Sequence, residues 1–404
     1  MTPTNDALSR PRPGFSWLCT ALLIAALGGC GGGFGGGDVA SAGVGSGGTG
    51  ATFQGPISGF GSVIVNGVRI DDSTARITVD DVDVPETTLR LGMVVSIDGT
   101  RDDEQNGRAN SVAASSWVEG PVASIAVGSG QLTVLGVTIT VNETTIFDGG
   151  ITGLAGLGAG DHVEVYGLPD QAGGIRATRI EKSATTRVRL VGTVKASTAN
   201  TIQVNGISVQ TGNAALESVG KGVAVGDVVR IKGSLPNDPG TATITASEVR
   251  EVSPAPPLPD NQKLNLEGIV TKFASASNFE VGGQKIQVAP GARLDGTVTL
   301  GARVEIDGAV AGGTVIATKV SVQDESKQKD DANVFHANVS ALDLSTNTLS
   351  LRSNTVTMKW DNNTVFEAAT LPLRGASLTL NMKLEVTARN TPAGLTATSI
   401  KLRN

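Results

Sequence analysis

Along most of the chain apolar and polar residues alternate with a period of two, the spacing that turns one side of a strand to a core and the other to water. In residues 160–167, GDHVEVYG, Val163 and Val165 take the inward phase, and His162 and Glu164 the outward one. A polar turn and a second alternating run, IRATRIEK, follow. This unit recurs. Its skeleton is Gly-x-x-Val-x-(Val/Ile)-x-Gly, a turn, then Ala-x-x-(Val/Ile), and other copies start at Gly92 (GMVVSIDG, later ANSV), Gly226 (GDVVRIKG, ASEV) and Gly301 (GARVEIDG, ATKV). A fifth copy, NMKLEVTA from Asn381, lacks the glycines but keeps its closing ATSI. The starts are 68, 66, 75 and 80 residues apart, long enough for each unit to be a minimal domain.

Each unit also opens in one way. A short strand (GPI at 55–57, GPV at 120–122, GTV at 192–194, GIV at 268–270, ANV at 337–339) precedes two strands joined by a tight pair: Asn66-Gly67, Leu135-Gly136, Asn205-Gly206, Gly282-Gly283 and Ser353-Asn354. Such pairs between alternating apolar residues signal hairpins, because a type I′ turn needs positive φ at both central residues. A variable segment of about 15 residues separates the hairpin from the glycine frame. Five short strands with that gap predict an all-β chain, a tandem array of about five small, closed or nearly closed five-stranded β-barrels, in which closure removes sheet edges. The expected layout is barrels at 55–119, 120–183, 184–252, 264–323 and a degenerate 334–404, with a Pro-rich linker at 253–263 and a charged one at 324–333. The first linker reads as a semi-rigid spacer and the second as a solvated hinge. The repeated Ala marks a place where a larger side chain would not fit the neighbouring strand.

Composition agrees with lean β cores: Gly numbers 53, aromatics are 3% and charged residues 17%. A net charge of −6 argues against nucleic-acid binding, which needs a basic surface to displace counterions. Two Cys and two His exclude a disulfide framework and a thiolate or imidazole metal cage by count. Residues 1–29 read as an export signal, with Arg10 and Arg12 before an apolar run at 17–27 that is too short to span a bilayer. Leu27-Gly28-Gly29-Cys30 resembles a bacterial lipobox, which implies lipidation of Cys30; an ordinary secretory signal with an incidental cysteine is the alternative. A Gly-rich tether at 30–54 would hold the barrels about 25 Å from the lipid. Gly31 after the cysteine, as in Gram-negative lipoproteins, implies outer-membrane sorting, facing the periplasm or the cell surface.

Candidate chemistry is sparse. Asp71, Asp72, Asp80, Asp81 and Asp83 offer carboxylates for calcium, or simply line a polar sheet edge. DDEQNG at 102–107 resembles an EF-hand start, but Ala113 stands where a bidentate Glu is required, so it reads as a hairpin turn. His162 and His336 occupy unrelated repeat positions. Glu164 and Glu305 share one position with Arg230 and Ser96, an equivalence that predicts surface. Trp117, between the first two copies, reads as inter-domain packing or as a sugar platform. No catalytic residue and no cofactor is expected.

As a whole the repeat, over residues 55–402, is similar to the bacterial family known as domain of unknown function 5666, found in exported proteins and lipoproteins. The resemblance implies OB-like barrels and no established activity, with the fifth copy the furthest from the pattern. The expected function is a non-catalytic binding or scaffolding array in the cell envelope, anchored to the membrane by lipid and engaging an envelope protein or glycan. An enzyme or metal-dependent factor with a site between adjacent barrels, and a purely structural spacer, are the alternatives.

Overall fold

The computed structural model describes residues 50–212, 214–217, 222–236, 243–253, 258–323, 333–351, 356–367, 373–391 and 394–403. The export signal, Cys30, most of the tether, the Ser353-Asn354 turn, residues 254–257 of the Pro-rich linker and most of the charged linker lie outside them. The chain divides into two units, Met1–Ser46 and Gly47–Asn404, and the second is described here.

That unit contains five closed barrels of one topology. In the first, Gly50–Phe60 pairs antiparallel with Val63–Val65, which pairs with Val68–Asp71. Val94–Arg101 lies antiparallel to Gly50–Phe60 and to the last strand, Asn106–Ala114. Val68–Asp71 closes the barrel by running parallel to that last strand. The same parallel closure recurs in the other four, so the strand order is that of an OB barrel, and the fifth barrel closes too. The variable segments hold an element that alternation over so few residues does not reveal: Arg76–Val79, Ile146–Asp148, Ala215–Glu217 and Val365–Glu367 each add a short parallel pairing to the last strand.

The repeated residues have separate structural tasks. The first frame position is left-handed in every copy: Gly92, Gly160, Gly226 and Gly301 have φ of 75°, 88°, 102° and 80°, and Asn381 has 65°. Asn tolerates this region better than other side chains, which is how the fifth copy keeps its frame without glycine. The last frame position lies at a bulge opposite the repeated Ala, giving the pairs Gly99–Ala109, Gly167–Ala177, Gly233–Ala246, Gly308–Ala317 and Ala388–Ala397. A Cβ on Gly99 would stand 1.9 Å from the Arg108 carbonyl oxygen, so the small pair lets the strands close over the bulge. The hairpin pairs at 66–67, 135–136, 205–206 and 282–283 all have positive φ at both residues, as I′ turns require.

Two expectations need correction. The first strand begins at Gly50, inside the stretch read as tether, because Ala51 and Phe53 fill core positions at 1% and 0% exposure. Nor does closure remove every edge. Gly50–Phe60 pairs within its barrel on one side through residues 50–56 and on the other through 57–59, leaving each half one free edge. Neighbouring barrels take both: residues 51–54 run parallel to 263–266 of the fourth barrel, and Gly59 and Phe60 to Val334 and Phe335 of the fifth. Val118 and Glu119, which open the first strand of the second barrel and do not end the first barrel as the expected boundary at 119 had it, pair antiparallel with Leu190 and Arg189 of the third. One buried cluster joins the first and fifth barrels and includes Tyr166 of the second; another joins the second and third; the fourth has its own. The array is therefore a packed body and not a string.

Candidate functional site

Where the first three barrels meet, the tip of an extra hairpin in the first enters a basic patch of the third. Arg76–Val79 and Val82–Asp83 are joined by Asp80 and Asp81, both at positive φ (56° and 71°). Asp81 pairs with Arg230 at 2.9 Å, Arg250 at 3.2 Å and Lys232 at 3.6 Å. Burial alone would raise its pKa, but Arg230, Arg250 and Lys232 hold it below the usual carboxylate value. Asp80 pairs with the buried Arg189, whose Nη1 also donates to Ser116 Oγ at 2.6 Å. Arg189 lies 3.7 Å from Glu164 and 3.9 Å from Glu119. Burial, then the negative charges of Asp80 and Glu119, push Glu164 up to about 7, against the opposing pull of Arg189, and Tyr166 donates its hydroxyl to the Glu164 carboxyl at 3.1 Å.

The five aspartates once grouped for calcium are thus dispersed. Asp71 accepts from the Ser73 amide at 3.1 Å, Asp72 is buried, Asp83 pairs with Arg76 on the surface, and Asp80 and Asp81 serve different cations. Among the described residues no group of His, Cys, Asp and Glu is arranged to hold a metal. DDEQNG is a hairpin turn in which Asp103 accepts from the Gln105 and Asn106 amides at 2.7 and 2.8 Å. His336 lies between the first and fifth barrels beside Arg69, 3.2 Å from Glu385, and burial, then the charges of Arg69 and Arg403, lower its pKa. His162 is half-buried, with its pKa lowered by burial.

Next to this cluster, four barrels line a half-open cavity of about 300 Å³. Val94 of the first barrel, Trp117 of the first junction, Leu168 of the second, Val191 and Val228 of the third and Ile269 of the fourth form much of its wall. Trp117 is therefore a packing residue with one side on the cavity. Arg230 and Glu267 are its ionisable lining residues, and Gln54, Ser96, Ser116 and Gln284 supply uncharged polar groups. Glu164, predicted at the surface, is largely covered, its side chain 17% exposed, because the outward phase of one barrel here faces another. A signal for the cavity was present: Val94 and Val228 occupy an outward position that holds His162, Arg303 and Lys383 in the other copies. Apolar residues there mark a face turned toward neighbouring barrels.

A family model described as "Domain of unknown function (DUF5666)" matches residues 119–181, 191–250, 267–321 and 336–401, corresponding to barrels two to five. The fifth copy, furthest from the pattern by eye, is matched, and the first is not, although it closes in the same way. No curated protein matches the chain. Among solved structures the Drosophila chain described as Unr CSD456 is similar at 15% identity, covering 51% of this chain and 97% of that one, with a TM-score of 0.13.

Proposed function

Because the chain belongs to the DUF5666 family, carrying that domain in four tandem copies, we propose that it is a non-catalytic binding and scaffolding protein of a bacterial cell envelope. The carrying observation is which positions repeat. Glycines, β-branched residues and the Ala opposite the bulge recur because they build the barrel, whereas the fifth frame position reads Ser96, Glu164, Arg230, Glu305 and Glu385. A catalytic repeat would keep a reactive group in register. Glu164, the carboxyl shifted to about 7, does not line the cavity and sits against Arg189 and Tyr166 at the barrel junction. The packed body offers composite surfaces made by several barrels, so binding draws on the assembly and not on independent units. Cys30 within LGGC supports a lipid anchor in the outer membrane, facing the periplasm or the cell surface, with an envelope protein or glycan as partner and no nucleic acid.

Mass spectrometry of the mature protein from envelope membranes tests the anchor: a diacylglyceryl Cys30 is expected, and an unmodified terminus refutes it. Co-purification from the same extracts tests binding. Turnover of any substrate, abolished by one substitution that leaves the circular dichroism unchanged, would overturn the non-catalytic reading.

A further inference from the structure

We infer that the four-barrel cavity binds a neutral, largely hydrocarbon small molecule bearing one or two hydrogen-bonding oxygens. The inference rests on the binding function proposed above and names a ligand class for it. Size is the first argument, since about 300 Å³ is at the lower end of small-molecule sites and is too little for a folded partner or a long glycan.

The wall is the second. Its apolar part is aliphatic apart from Trp117, and Val94 and Val228 are apolar at a position that barrel folding leaves free to be polar, as His162 and Arg303 demonstrate. Water against the apolar part of the wall has few partners, and a hydrocarbon surface displaces it favourably.

Charge is the third. The two ionisable lining residues each have an ion-pair partner within the protein, Arg230 in Asp81 at 2.9 Å, a carboxylate that Arg250 and Lys232 share, and Glu267 in Arg303 at 2.6 Å. An ionic ligand would lose its hydration and meet only side chains already engaged in ion pairs, which disfavours it. Uncharged groups are present to orient a ligand: the Ser96 and Ser115 hydroxyls and the Gln54 and Gln284 amides, drawn from the first and fourth barrels and the junction after the first. These suit an alcohol, ketone or ester oxygen at one end of an apolar body.

The test uses the chain from Gly31 onward, which contains the whole unit Gly47–Asn404. The uncharged probe N-phenyl-1-naphthylamine is titrated with its own directly excited emission as readout, in parallel with the anionic 8-anilinonaphthalene-1-sulfonate. Saturable binding of one uncharged probe per chain is expected, with the anion about tenfold weaker or worse. Ala113 lines the cavity from an exposed strand position, so Ala113→Trp should fill the space and weaken the uncharged probe by about tenfold or more while the circular dichroism stays unchanged. Ser96→Trp, also exposed and lining, is the second filling variant should the first fail to fold. Absence of saturable binding, equal or tighter binding of the anion, or indifference to a folded filling variant would each overturn the inference. Retention of an envelope partner by the same filling variants separates this outcome from failure of the broader binding reading.

Discussion

Glu164 illustrates at the scale of single residues how an outward side chain acquires a buried role. Its strand phase points it away from its own core, and only the arrival of Asp80 and Arg189 from two other barrels encloses it. Its pKa, raised from 4.5 to about 7, has a definite consequence for stability. Between those values the folded chain holds a proton that the unfolded chain has released, so this group makes stability fall as pH rises through that window. The effect is complete above about 7 and absent below about 4.5, and is at most about 3 kcal/mol. Glu164→Gln, neutral throughout, should flatten the dependence: urea midpoints at pH 5 and pH 8 should differ less in the variant than in the parent. Equal differences would place Glu164 in water. Residues governed by their own backbone were, by contrast, legible in sequence. Asn66-Gly67 has the positive φ its turn requires, and the repeated Ala stands at a close approach of strands.

Among elements the first strand has the widest reach. Within eleven residues Gly50–Phe60 serves two partners in its own barrel and one in each of two others. Its first half was misread as tether because glycine-rich sequence runs into it without a break. The pattern that distinguishes it is only two apolar residues long, Ala51 and Phe53. Phe53→Ala should cost about 3–5 kcal/mol in equilibrium urea unfolding, the usual range for deleting a buried aromatic; a neutral result would restore the tether reading for residues 50–54. The Asp80-Asp81 hairpin is a second such element. Its clustered acids look like a cation site along the sequence, yet their counterions are the arginines and lysine of the third barrel, about 110 to 170 residues away.

For the molecule as a whole, shared cores decide which barrels stand or fall together. Phe335 of the fifth barrel is 1% exposed and lies in the cluster that includes Phe53, Phe60 and Ile97 of the first, whereas the fourth barrel is built around Val270, Phe279 and Val304. Hydrogen exchange of Phe335→Ala, read by mass spectrometry, should accelerate in the first and fifth barrels together and leave the interior strands of the fourth nearly as slow as in the parent. Acceleration confined to the fifth barrel would mean that the two cores are energetically separate. Such coupling also changes what removing one copy does. It takes away a wall or an edge partner of its neighbours, so graded loss of function, copy by copy, is not expected.

The sequence by itself determined the barrel, the number of copies, the order of strands and the turns between them. Each of these rests on interactions within one unit: alternation at a period of two, positive φ at particular residues, and a small pair where two strands approach. It could not determine which barrel edges are taken up by neighbours, which outward residues are buried, or where the cavity lies. Those depend on the relative placement of whole units, and the contacts that set it join residues as far apart as Gly59 and Val334. Outward positions carry no local periodicity that separates water from another protein surface. The hints were Val94 and Val228, apolar where alternation calls for polar, and only the tertiary structure brought them to the wall of one space.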